Sequence, residues 1–324
     1  MTNKKIVTIG GGTGSFMILS ELKKHEDIDV TAIVTMFDSG GSTGVLRDEL
    51  GVLPAGDVRQ ALIALSNTTQ ELRDLFLYRF DAGGLEGHNF GNLFLSALEK
   101  TTGSFKAGLE NASEILNIQG RIEPATYEDT QLIVERSDGE VIYGEGKIDS
   151  SVIQPYKKFM LSRTTGANPE AISAIMSADV VIINPGNFFC SILPNLLIPE
   201  ISNALKSTSA KKVFVCNLMT KAGHTNNFTA DTYVEKLHKY AHGPFVTDVV
   251  LNTNYVVEDK ETINRYKQNG EDFVLEGSIR EMDLTIHDGD LLSREIFLQN
   301  SADKVKRSFV RHDPQKLISI ITSL

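Results

Sequence analysis

Two glycine-rich loops offer bare backbone where an anion could approach. The first, Gly10-Gly11-Gly12-Thr13-Gly14, follows an apolar run at residues 4–9 and precedes a helix-spaced one at 16–22. The second, Asp38-Ser39-Gly40-Gly41-Ser42-Thr43-Gly44, follows the apolar run 29–35. A glycine turn between strand and helix lets amides come close to a phosphate and aims the positive end of the helix at it. Gly11, Gly12 and Thr13 beside Gly41, Ser42 and Thr43 make two adjacent cradles, which suit a diphosphate better than a monophosphate. Neither loop is diagnostic alone. The first does not complete GxGxxG, no GxxxxGK[ST] is present, and a plain tight strand-to-helix turn is the alternative.

Titratable and carboxamide side chains cluster near these loops. Asp38 either binds Mg²⁺ or a ligand hydroxyl, or opens the loop as an Asx-turn. Asp57 in AGDVRQ is either a ligand or metal group or a helix-terminal acid, and Arg59 reads as a solvated arginine. His88 in GGLEGHNFGN, with Asn89 and Asn92 after it, could contact phosphate or transfer a proton, and a capping and turn role fits as well. In the second half three apolar runs end directly in asparagine: Asn184, Asn217 and Asn252. A carboxamide offers both a donor and an acceptor, which suits reading a base or sugar better than acid–base catalysis. Gly186 and Asn187 follow the first of these, and Thr220 and Lys221 the second. Lys221 is a candidate phosphate partner.

The elements that must position these residues alternate. Strand, glycine turn and helix occur at the start, and a second strand at 29–35 repeats the pattern. A helical face at Val58, Ala61, Leu62 and Leu65 follows, and further helices are expected at 69–80, 91–101 and 105–117. The runs 180–183, 213–216 and 248–251 are short and almost wholly apolar, as strands buried on both faces are. Helices near 189–206 and 229–241 separate them, and the polar tail 255–309 leads to a capped final helix. Between 120 and 160, LIVER and EVIYGE flank Asp138-Gly139, a strong hairpin signal. The expected fold is α/β, Rossmann-like and doubly wound, with a mostly parallel sheet. A single domain spanning 1–324 carries a small antiparallel β-hairpin insertion at 120–160. Ligands of such sheets sit outside the carboxyl ends of the strands.

Composition narrows the classes. The chain has 324 residues and a formal charge of −10, which disfavours a binder of nucleic-acid backbones. Half of the glycines, 13 of 26, fall within the first 91 residues, so that quarter carries the demand for bare backbone. Cys190 and Cys216 are too few for a disulfide framework and sit among apolar neighbours. There is no run long enough for a membrane span and no signal-peptide core, so a soluble, cytoplasmic protein is expected. The chain also lacks G-x-S-x-G, HExxH, CxxC and kinase signatures.

Taken together, GGGTG, FDSGGSTGVLRDEL, PAGDVRQALIALS, GHNFGNLFLSAL, NPGNFFCSILPNLL and CNLMTKAGHT resemble, in order and spacing, the CofD-like family, and within it most closely the YvcK-like gluconeogenesis factors. The resemblance covers nearly the whole chain and implies a Rossmann-like fold with its ligand at the glycine-rich edge. One branch of the family, 2-phospho-L-lactate transferase, moves a phospholactyl group from a guanosine diphosphate-linked donor to a deazaflavin hydroxyl, using Mg²⁺. The YvcK-like branch is associated with binding UDP-sugars such as UDP-N-acetylglucosamine, with cell shape and with growth on gluconeogenic carbon.

Three positions depart from the family pattern. Ser39 stands where a second aspartate is usual, Asn187 where serine is usual, and His224 where the pattern has glutamate. The resemblance, together with the twin cradles and the strand-end asparagines, points to a nucleotide-sugar-binding regulator. Its ligand-binding residues would be Gly11, Gly12, Thr13, Gly41, Ser42, Thr43, Asn89, Asn92, Asn184, Gly186, Asn187, Asn217, Thr220 and Lys221. The alternative is a Mg²⁺-dependent transferase with Asp38, Asp57 and His88 catalytic and Asp38 on the metal. A nucleoside-diphosphate partner, a homodimer, and neither nucleic acid nor membrane are the remaining expectations.

Overall fold

Short runs of apolar, largely β-branched residues form the strands, and the glycine-bearing segments after them turn into helices. The computed structural model describes residues 3–257, 259–294 and 309–324. In chain order it begins β1 (Lys4–Gly10), α1 (Gly12–Leu22), β2 (Ile28–Val34), α2 (Gly41–Leu50), α3 (Gly56–Leu65), α4 (Gln70–Leu77), α5 (Phe90–Thr102), α6 (Phe105–Ile115) and β3 (Arg121–Pro124). It continues with β4 (Leu132–Arg136), β5 (Val141–Tyr143), α7 (Glu145–Ser150), β6 (Tyr156–Leu161), α8 (Pro169–Ser177) and β7 (Val180–Ile183). The rest is α9 (Leu193–Leu196), α10 (Pro199–Ser207), β8 (Lys211–Val215), α11 (Ala230–Tyr240), β9 (Asp248–Asn252), α12 (Lys260–Gln268), β10 (Thr285–Gly289) and α13 (Pro314–Thr322).

Seven strands form one parallel sheet in the order β10-β9-β8-β7-β1-β2-β3. The period of two along each strand divides its side chains between two cores. Val7, Ile9, Ile33, Val181, Ile183 and Phe214 join one core, with residues of α8, α10, α11 and the small sheet. Ile6, Val30, Ile182, Val213 and Val250 join the other, with α1, α3, α6 and α13. From β1 the chain winds outward through β2 to β3, then returns to the far side of β1 and winds through β7 to β10. Strand order therefore reverses between β1 and β7, which places the ligand crevice of such a sheet at the carboxyl ends of those two strands.

Three expectations need correction. The antiparallel excursion is a three-stranded sheet, β5-β4-β6, and residues 121–124 belong to the main sheet beside β2. The helical stretch near 189–206 is broken: a π-helical turn at Phe188–Ile192 runs into α9, and a bend of 75° separates that segment from α10. Pro199 causes the break, because a proline in the first turn of a helix starts it but cannot continue the previous one. The polar tail contains α12 and the edge strand β10, whose half-exposed TIHDG shows no apolar run to announce it. Residues 295–308 of that tail lie outside the described residues. Among the described residues no single helix is long and apolar enough to cross a membrane.

Candidate functional site

Three carboxylates converge at the reversal point. Asp57, in the first turn of α3, accepts a hydrogen bond from the Gly12 amide at 2.9 Å. Its carboxylate lies so close to the β1–α1 turn that a Cβ on Gly11 would stand 1.9 Å from Asp57 Oδ2. Asp38, after β2, accepts from the Gly40 amide at 2.9 Å, and a Cβ on Gly56 would meet its Oδ2 at 2.1 Å. Glu145 opens α7, hydrogen-bonds Asp38, and accepts from the Ser39 amide at 3.5 Å. Asp38, Asp57 and Glu145 are half-buried.

Crowding shows in their acidity. Burial, then the charge of Asp38, pushes Asp57 up to about 7. Burial, then the charges of Asp38, Asp149 and Asp57, pushes Glu145 up to about 8. Asp38 is also raised, chiefly by burial, against the hydrogen bonds of Gly40 and Thr43. Like-charged oxygens drawn together in a half-buried place favour either a shared proton or a cation. Hard oxygen donors of this kind suit Mg²⁺, which binds through one or two carboxylates plus ligand phosphates.

Behind Asp38 runs a buried relay. Arg59 Nε donates to Asn92 Oδ1 at 2.8 Å, Asn92 Nδ2 donates to Thr43 Oγ1 at 3.1 Å, and Thr43 hydrogen-bonds Asp38. Arg59, expected to be solvated, is 8% exposed, and its charge acts on both Asp38 and Asp57. Asn92 is thus turned to the protein. Asn89 caps α5 and donates to the carbonyls of Leu77 and Tyr78, so its role is the capping one. Ser42 is buried, accepts from the Asn89 amide and meets His88 Nδ1 at 3.3 Å. The amides of Thr13, Gly41, Ser42 and Thr43 lie in the first turns of α1 and α2, where no carbonyl of the same helix accepts them.

The asparagines at strand ends divide. Asn217 donates to the Gly186 carbonyl at 2.7 Å and accepts from the Gly186 amide at 3.4 Å, so it shapes the loop after β7. Asn252 accepts from the Leu291 amide and donates to the Asn254 carbonyl. Thr220 is bonded through both amide and hydroxyl to Asp272. Asn184 differs: it is fully buried over Gly10, and neither carboxamide atom has a partner among the described residues. It stands at the end of β7, beside the reversal point. Asn187 donates to Asp149, which also pairs with Lys221.

The chain matches, over residues 6–292, the family model described as 2-phospho-L-lactate transferase CofD. It belongs to the CofD family. A relative from Aquifex aeolicus is 39% identical over all of this chain and 97% of its own length. The gluconeogenesis factor of Bacillus subtilis is 36% identical, covering 99% of this chain and 98% of that one. A crystal structure of a upf0052-family protein from Bacillus halodurans superposes with a TM-score of 0.90 at 32% identity, covering 99% of this chain and all of the other.

In this CofD-family chain Ser39 ties the segment after β2 to the turn that opens α7. Ser39 Oγ accepts from the Gly146 amide at 3.0 Å and packs on the turn 144–146, and that turn presents Glu145 to Asp38. Sequence reasoning misses Glu145 and Asp149. The signal available is slight: two acids at i and i+4 in YGEGKIDSS, directly after a β-rich run.

Proposed function

We propose that this chain binds a nucleoside diphosphate ester, with a UDP-sugar such as UDP-N-acetylglucosamine as the ligand, and acts as a regulator of envelope synthesis and carbon metabolism. What supports the reading most is the convergence of Asp38, Asp57 and Glu145 between two glycine-led helix N-termini at the reversal point. Asp38, Asp57 and Glu145 would hold Mg²⁺, and the bound ion would neutralise diphosphate charge. The amides of Thr13 and of Gly41–Thr43 would face the phosphates, and Asn184 would give its free donor and acceptor to the base, ribose or sugar. The relatives named gluconeogenesis factor support the carbon-metabolism part of this reading.

Calorimetry with UDP-N-acetylglucosamine tests it. Binding is expected to need Mg²⁺ and to fall at least tenfold in Asp38→Asn and Gly12→Val; equal binding by both variants refutes the placement.

The second reading, transfer of a phospho-acyl group to a deazaflavin hydroxyl, is favoured by the same carboxylates, since such a reaction proceeds by positioning and charge stabilisation. Incubation with a guanylyl phospholactate donor, deazaflavin and Mg²⁺ separates the two. Release of GMP would support the transferase, and its absence the binding protein.

A further inference from the structure

Glu145 faces two ways. Toward β2 its carboxyl meets Asp38; on its other side Glu145, Asp149 and Cys190 bring one ligand atom each within 4.8 Å of one another. Oxygen and sulfur donors at that spacing match what a divalent ion would need. A charge of this chain already stands there. Lys221 forms an ion pair with Asp149, and Asn187 donates to the same carboxylate oxygen.

We propose that the Lys221 ammonium is a resident cation at this second position, so that the site admits one divalent ion, at Asp38, Asp57 and Glu145, and meets a diphosphate with that ion and Lys221 together. The inference rests on the proposed function's reading of those three carboxylates as a cation site. Charge balance argues for it. Once a bound ion displaces the protons that burial favours on them, Asp38, Asp57 and Glu145 carry with Asp149 four negative charges, while Arg59 and Lys221 supply two positive ones at opposite ends of the row. Before a diphosphate enters, the remainder matches one divalent ion.

Position argues for it too, because Lys221 is not a loose surface lysine. Its amide donates to Thr225 Oγ1 at 2.8 Å, and the loop that carries it is fastened to the segment after α7. The amides of Ile153 and Gln154 both donate to the Gly223 carbonyl, and Gln154 Nε2 donates to the His224 carbonyl at 2.9 Å. The two elements that bear Asp149 and Lys221 are therefore tied together independently of the ion pair. An ammonium held on Asp149 repels a second cation at the neighbouring donors.

Cobalt(II) is the probe, because its thiolate complexes absorb in the near ultraviolet and metal analysis after equilibrium dialysis counts the ions. The full chain is expected to bind one Co²⁺ without a thiolate band. Lys221→Met should bind two, with a thiolate band that Lys221→Met/Cys190→Ser lacks, and Lys221→Arg should stay at one. Far-UV circular dichroism checks the fold, and Lys221→Gln replaces Lys221→Met if the latter does not fold. One ion in both the parent chain and Lys221→Met overturns the inference while leaving the cation reading intact. Two ions in the parent chain overturn the inference as well. No ion in the parent chain overturns the cation reading, and the inference with it.

Discussion

Asp57 depends on Gly11 having no side chain. The carboxylate occupies the space a Cβ would take, and one of its oxygens accepts from the next amide, Gly12. A loop that reads in sequence as a phosphate cradle is thus partly filled by a carboxylate, and a ligand anion would reach it through a cation. Asp57→Asn keeps an oxygen that can accept from Gly12 and removes one of three crowded charges. Cation affinity is expected to fall at least tenfold by calorimetry, while the cation-free melting temperature rises by about 1–2 °C, for about 1 kcal/mol of relieved repulsion. A melting temperature that drops instead would mean that the carboxylate is not crowded.

The asparagines show where reading single residues fails. Asn184, Asn217 and Asn252 look alike in sequence, each ending an apolar run. Only the packed loops show that Asn217 and Asn252 serve the backbone around them, leaving Asn184 unpartnered among the described residues.

At the scale of elements, α2, α3 and α5 are joined through Arg59, Asn92, Thr43 and Asp38, so packing among three helices sets the direction of one carboxylate. Asn92→Leu would take the acceptor from the buried Arg59 Nε and the donor from Thr43. It is expected to cost about 2 kcal/mol in denaturant unfolding and to weaken cation binding several-fold. Cation binding that is unchanged would detach the relay from the site.

A second element-scale device fastens the segment before α13. His312 is 4% exposed, pairs in a β-bridge with Leu292 and hydrogen-bonds the backbone of Cys216 at the end of β8. Burial pushes its imidazole down to about 4 from the usual 6.5. A lowered folded-state value means that the neutral ring stabilises the fold above about pH 6.5, and that this contribution is lost as pH falls from there toward 4. Unfolding measured across that window should show the wild type losing on the order of 3 kcal/mol more than His312→Gln. Parallel curves for the two proteins would remove His312 from the acid response.

The whole molecule is the most legible level and the site the least. Parallel strands buried on both faces need continuous apolar runs, and helices between them need an apolar stripe, so the winding of the sheet is written locally along the chain. Asp38 draws attention because ligands of such a sheet gather at the carboxyl ends of its strands, whereas Asp57 reads in sequence only as a helix-terminal acid or ligand group, and packing brings it to the turn after β1. Glu145 and Asp149 are not legible, since they reach the crevice only when the small sheet folds back across the carboxyl edge, and no local spacing encodes that return.

The same distribution of parts yields a whole-molecule prediction. The site draws on the turn after β1, the segment after β2, the start of α3, α7 and the loop after β8, so a ligand held there stabilises the native chain as a unit. Mg²⁺ alone, at one hundred times its dissociation constant, should add about 2.7 kcal/mol to the unfolding free energy, and the nucleotide alone much less. If the cation lies between the carboxylates and the diphosphate, Mg²⁺ and UDP-N-acetylglucosamine together must raise the melting temperature by more than the sum of their separate shifts, because each increases the affinity for the other. Thermal unfolding of the chain alone, with either, and with both measures that coupling. Shifts that simply add would separate the ion from the nucleotide and leave the carboxylates without a part in ligand binding.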